Sequence, residues 1–153
     1  MFNDKCSRTL KRVYKLDKIT PVLFVGRNGW RACLEMRKLQ IPSLASETEI
    51  ESRERREIWD RESHQAETVE AIAWTHSGQR MIRKRMNPKL VVTLDILPGL
   101  KDIQVLERIL PLRVFGPVVH YIPKDSGPNK HTTEQWKALV CEDSILDETG
   151  RIF

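Results

Sequence analysis

The chain is poor in cysteine, histidine and aromatic residues, and it has no long apolar run. Cys6, Cys33 and Cys141 are its only three thiols in 153 residues, widely spaced and without a C-x-x-C pair. An odd, scattered set excludes a disulfide framework and points to a reducing intracellular compartment, cytoplasm or nucleus, with the mitochondrion as the alternative. No apolar run approaches the roughly 20 residues of a membrane-spanning helix. Residues 1–20 lack the apolar core of a secretory signal. The four histidines, His64, His76, His120 and His131, fall at no helical i,i+4 spacing, with each other or with Cys141, so no metal or other cofactor is expected. His120, in an apolar segment, reads as a hydrogen-bonded core or edge residue. G-x-S-x-G and H-E-x-x-H are both missing.

Glycine is also sparse, seven in all, and long Gly-rich strand-to-helix turns are lacking, which argues against a doubly wound parallel sheet. The one stretch that invites a phosphate-binding reading is VGRNGW, residues 25–30. Such a reading needs a strand, a tight turn and a helix start whose N–H groups meet the anion. G-x-x-G is too short for a P-loop and has no Lys-Ser/Thr, so a plain Asn-Gly turn with an exposed Arg27 is expected.

What the chain does have is unevenly placed charge. Residues 1–40 hold ten Lys/Arg against three acids, 41–70 nine acids against four Arg, and 71–101 six basic residues against one acid. That pattern gives two basic surfaces and one acidic one, within a net charge of +5. At the N-terminal end, Phe2, Cys6, Leu10 and Val13 form one helical stripe, with Arg8, Lys11, Arg12 and Lys15 among the cations around it. A basic docking helix is expected, an organellar targeting helix being the rival.

Periodicity suggests the elements. Pro21–Val25 and the alternating Trp30–Arg37 flank Asn28-Gly29 and read as a hairpin, with a helix over Trp30–Leu39 as the alternative. Ser46 and Glu49 form a capping box opening a long, exposed helix over residues 47–67. Short strands are expected on either side of Ser77-Gly78, and a central strand over 89–97, with Leu90, Val92, Leu94 and Ile96 on one face. A short helix follows, with Ile103, Leu106, Ile109 and Leu110 on its apolar side and Pro111 at its end. An interrupted strand over 112–122 and a last helix opened by Thr132 and Gln135 complete the series. The sum is an α+β domain over residues 21–142: a mainly antiparallel sheet of five to six strands with about three helices, one long and exposed. A basic arm, 1–20, precedes it and an acidic tail, 143–153, follows.

Function is read from cations near aromatics. Trp74, Arg83, Arg85 and Lys89, with the arm residues Arg8, Lys11, Arg12 and Lys15, form the expected nucleic-acid contact, Trp74 for stacking and the cations for phosphate. In the hairpin register Arg83 and Arg85 share a face with Trp74, whereas Arg80 and Lys84 point the other way, and Glu70 faces Arg85. The expected function is a non-enzymatic RNA-associated or assembly protein, such as a ribosomal or ribonucleoprotein subunit, with a protein partner on the 47–67 helix and a place in a larger assembly. The alternative is a protein-protein interaction module, such as a viral accessory or matrix protein or a small subunit of an organellar complex. An enzyme is not expected; the minority reading is a metal-dependent nuclease built on Asp95, the one acid of the central strand.

Overall fold

The computed structural model describes residues 1–61, 69–97, 100–123 and 132–153. Along the chain they form α1 (Asp4–Tyr14), β1 (Val22–Gly26), α2 (Gly29–Lys38), β2 (Ser43–Glu47), α3 (Glu49–Arg61), β3 (Ala71–Ala73), α4 (His76–Arg85), β4 (Leu90–Leu94), α5 (Asp102–Arg113), β5 (Val118–Tyr121), α6 (Thr133–Val140) and β6 (Ser144–Leu146). The six strands make one sheet in the order β3-β2-β1-β4-β5-β6, and every neighbouring pair is parallel. The protein is therefore α/β, with six helices among the described residues, and the expected antiparallel sheet with about three helices is wrong. The physical reason lies in β1 and β4, which are buried at every position. Strands buried on both faces read as continuous apolar runs and need helices to cover them and to carry the chain across.

Each face of the sheet has its own core. Val22 and Phe24 of β1 pack with Cys6 and Leu10 of α1 and Trp30, Cys33 and Met36 of α2. Leu23 and Val25 pack on the opposite face with Ile82 of α4, Val105, Ile109 and Leu112 of α5, and Trp136 and Val140 of α6. Leu90, Val92 and Leu94 share the first face as expected, but Ile96 lies in the second core, because the chain leaves the strand at Asp95 in the left-handed region, φ 52°.

Three local readings are corrected by the helices. Residues 29–38 are helical: Trp30, Cys33 and Met36 recur at helical spacing on the buried side, and the two-residue alternation is incidental. The stretch after Ser77-Gly78 is also helical, not a strand. Thr75 caps α4 by accepting a hydrogen bond from the Gly78 N–H at 3.0 Å, and Gly78 lets the first turn sit on the end of β3, where a Cβ would lie 1.8 Å from the Ala73 carbonyl oxygen. In α5 the buried stripe is Val105, Ile109 and Leu112, while Ile103, Leu106 and Leu110 are exposed; Pro111 lies inside the helix instead of ending it.

The α3 helix starts two residues later than Ser46 suggests. Thr48 and Glu51 form the capping box, with the Glu51 N–H donating to Thr48 Oγ1 and the Thr48 N–H to Glu51 Oε1, while Ser46 belongs to β2. Along α3, Glu49 and Arg53 pair at i,i+4 spacing, 3.0 Å apart, while Arg55 turns back to Glu47. The cap of α6 is as expected, Thr132 and Gln135 each bonding the other's backbone N–H. After β6 the chain turns back so that Phe153 exchanges backbone hydrogen bonds with Ile145.

Candidate ligand-binding site

In this sheet the chain runs outward from β1 through β2 to β3, then returns by α4 to β4 on the other side of β1. The strand order thus reverses between β1 and β4, which opens a crevice beyond their C-terminal ends, the usual place for a ligand in an open parallel sheet. A cavity of about 220 Å3 occupies it, walled by Arg27, Asn28 and Arg31 from the β1–α2 turn, Leu94 and Asp95 from the end of β4, Tyr121 and Pro123 from the end of β5, and Met1 and Phe2 ahead of α1.

The turn that shapes this crevice is VGRNGW. Gly26 ends β1 at φ 124°, and a Cβ there would stand 1.8 Å from the Leu94 carbonyl oxygen, so β1 and β4 approach at this point only because the side chain is absent. Asn28 follows in the left-handed region, φ 63°, and α2 begins at Gly29 with no side chain capping its first N–H groups. The strand, tight turn and helix start that the phosphate-binding reading requires are all present, although the P-loop lysine is not. Arg27 is exposed and paired with Glu54 of α3, Nε to Oε2 at 2.9 Å, while Arg31 lies with its guanidinium 4.4 Å from the Trp30 ring centre.

Asp95 and Tyr121 face these cations across the cavity wall. The Asp95 side chain reaches solvent at the mouth, yet the walls strip part of its hydration and push its carboxyl above the ordinary carboxylate range, with Arg27 pulling the other way. Tyr121 is buried beside Phe2, ring centres 5.8 Å apart, and its hydroxyl has no hydrogen-bond partner among the described residues. Burial holds that phenol neutral well above its usual range. A buried hydroxyl without a partner costs stability unless something supplies one.

A second and larger cleft, about 550 Å3, lies at the same edge of the sheet beyond β2 and β3. Its walls include Thr48 just ahead of α3, Ser52, Arg53 and Arg56 of α3, and Ile72 to Thr75 at the end of β3 and just beyond it. Arg53 is paired with Glu49 and Arg55 with Glu47, whereas Arg56 has no ion-pair partner among the described residues.

The cations singled out from the sequence lie elsewhere. Arg8, Lys11, Arg12 and Lys15 are exposed on the outer face of α1, Arg8 paired with Asp4 at 2.7 Å, while Phe2, Cys6 and Leu10 of the same segment are in the core and Val13 is exposed. Arg80, Arg83, Lys84 and Arg85 are exposed on α4, and Lys89 precedes β4. Arg85 does pair with Glu70, at 2.8 Å, though across a helix and not a hairpin. Arg83 lies over the Phe115 ring at 5.5 Å. Trp74 packs against Phe115, ring centres 6.3 Å apart, and Trp30 is buried. The cations of the arm and of α4 therefore contribute nothing to the crevice, and the residues that line it, Arg27, Asn28, Arg31 and Tyr121, were not expected as a group. Their signal was the turn between Gly26 and Gly29; Tyr121 joins it only through the sheet order.

Among the described residues no three His, Cys, Asp or Glu side chains gather into a metal-binding group, and His64 and His131 lie outside the described residues. His120 is fully buried, its Nδ1 2.8 Å from Thr93 Oγ1 and its Nε2 3.0 Å from Asp143 Oδ2. Arg113 closes the network, its Nε donating to both Asp143 carboxylate oxygens at 3.2 Å and its Nη2 to the Val140 carbonyl at 3.0 Å. Burial alone would raise the Asp143 carboxyl, but the bonds from His120 and Arg113 outweigh it and hold the group below the ordinary range. Cys33 is buried, its thiol pushed up to about 12, and burial raises Cys6 as well, so neither is an activated nucleophile. Comparison with protein-family models, curated proteins and solved structures finds no match to this chain. Among the described residues no helix is long and apolar enough to cross a membrane.

Proposed function

We propose that this domain binds a small phosphate-bearing ligand in the crevice between the ends of β1 and β4. One observation carries the reading: Arg27, Arg31 and the uncapped start of α2 converge on a cavity at the point where the strand order reverses. Helix N–H groups and guanidinium groups favour an anion, and the Asp95 carboxylate suits the hydroxyl groups of an attached sugar. The test is calorimetric titration with ribose 5-phosphate and nucleoside phosphates. Arg31→Ala is expected to weaken binding at least tenfold without lowering the melting temperature, and equal affinity in the variant would remove the basis for this reading.

A second reading, association with RNA through α4, is favoured by a separate observation. That helix has four exposed cations and no acid, and Arg80 and Lys84 have no ion-pair partner among the described residues. Trp74 is occupied by Phe115, so such a contact is with the phosphate backbone and not with stacked bases. Because Glu70 offsets Arg85 and Phe115 holds Arg83, Arg80→Ala with Lys84→Ala is expected to reduce RNA retention and its salt slope more than Arg83→Ala with Arg85→Ala. A larger loss from the second pair would reverse that assignment.

A further inference from the structure

Nine large apolar side chains are exposed among the described residues, and four of them lie on or just after α5: Ile103, Leu106, Leu110 and Val114, between 41 and 72 % exposed. Single apolar residues on a surface are ordinary, but a row of them is not. With 3.6 residues per turn, positions i, i+3, i+7 and i+11 fall on one stripe about 16 Å long. It lies on the side of the helix away from Val105, Ile109 and Leu112, and that buried trio already seats α5 on the sheet. The stripe therefore adds nothing to the fold. Its steps of three and four residues are those of a seam into which a second helix packs its own side chains.

The charges beside the stripe select the partner. Asp102 borders one edge, a residue before Ile103, and Glu107 borders the other, one turn beyond it. Both are exposed, and neither has an ion-pair partner among the described residues. Arg113, on the Asp102 side, is turned to Asp143 and the Val140 carbonyl, and Arg108 falls well round the helix from the stripe. Leu106 is two turns from Arg113 on the same side, so the stripe leans toward α6, where Glu134 is also exposed, and away from α4 with its cations. These acids disfavour two occupants. A parallel pairing of two copies sets Asp102 of one against Glu107 of the other, and an antiparallel pairing brings the two Glu107 residues together. An anionic bilayer meets the same repulsion.

We infer that α5 docks a basic amphipathic helix of a partner protein, whose apolar side covers Ile103, Leu106, Leu110 and Val114 and whose Lys or Arg residues face Asp102 and Glu107. The test uses a labelled synthetic helix of three heptads, with leucine at the seam positions and lysine on both flanks, and an analogue with glutamate in place of lysine. Each is titrated with the full chain, at concentrations where the peptide is monomeric, and followed by fluorescence anisotropy. The lysine helix is expected to bind at least tenfold tighter than the glutamate helix. Leu106→Ser with Leu110→Ser is expected to abolish binding and leave the melting temperature unchanged, since both side chains are exposed. Asp102→Lys with Glu107→Lys, which removes no core contact, is expected to reverse the preference. Equal affinity for the two helices, or binding of neither, overturns the inference. So does sedimentation of the unmodified chain as a dimer that the double serine variant disperses, which gives the stripe to a second copy. Retention on phosphatidylcholine–phosphatidylserine vesicles, lost in the same variant, gives it to a membrane and overturns the inference as well.

Discussion

Two polar clusters lie within a few residues of each other on β4 and β5, and they have opposite characters. Thr93 and His120 point to one face, where Asp143 and Arg113 complete a closed set of hydrogen bonds. Asp95, two residues past Thr93, and Tyr121, the neighbour of His120, border the crevice; the buried tyrosine hydroxyl has no partner among the described residues and the carboxyl is partly stripped of water. The first cluster holds the fold together because every member has a partner. The second is left incomplete, with no partner for the tyrosine hydroxyl among the described residues.

Breaking the closed cluster gives the largest effect. Asp143→Ala leaves His120 and Arg113 without their shared acceptor, and truncating one partner of a buried charged network costs about 3–5 kcal/mol. Chemical denaturation is expected to show that loss, and a change below about 1 kcal/mol would mean the network is solvated in solution. The same carboxylate sets a pH dependence. Its pKa is depressed in the fold, so its contribution is complete above the unfolded value of about 3.9 and disappears as pH falls through the lower folded value. Denaturation midpoints should therefore fall as pH drops below about 4 in the native chain, and less steeply in Asp143→Asn.

The open cluster behaves in the reverse way. Tyr121→Phe removes a hydroxyl with no partner among the described residues, so stability is expected to stay level or rise by up to about 1 kcal/mol. A loss of stability in that variant would place a hydrogen bond where none is seen among the described residues. Asp95→Asn is the mildest change. Asparagine tolerates the left-handed conformation as aspartate does, so melting should barely move, and losing the carboxylate should modestly strengthen binding of inorganic phosphate, measurable by calorimetry.

Much of the chain could be read locally. The central apolar strand, the α1 stripe of Phe2, Cys6 and Leu10 and the Thr132–Gln135 cap all depend on neighbours within a few residues. Strand direction did not, because parallel pairing is decided by crossover helices, and a buried five-residue strand looks the same whichever way its partner runs. Thr75 was the missed clue for α4: a threonine ahead of a run without proline caps a helix as readily as Ser77-Gly78 turns a hairpin. The crevice was illegible for a related reason. Arg31 and Tyr121 are 90 positions apart, and only the sheet order brings them to one cavity. Asp143 had the same difficulty, since nothing near it in sequence marks it as the partner of His120.

One clasp has a consequence for how the molecule assembles. Asn3 donates to the Glu148 carbonyl at 2.9 Å and Thr9 to the Gly150 carbonyl at 2.7 Å, contacts that join positions 145 and 141 residues apart. The apolar side of α1 shares its core with residues of β4, β5 and β6 as well as β1, so this helix has no complete seat until a strand more than 120 residues further along the chain has formed. Until then Phe2, Cys6 and Leu10 stay uncovered. Such long loop closures slow folding, and they make this corner of the molecule the step on which completion of the sheet waits.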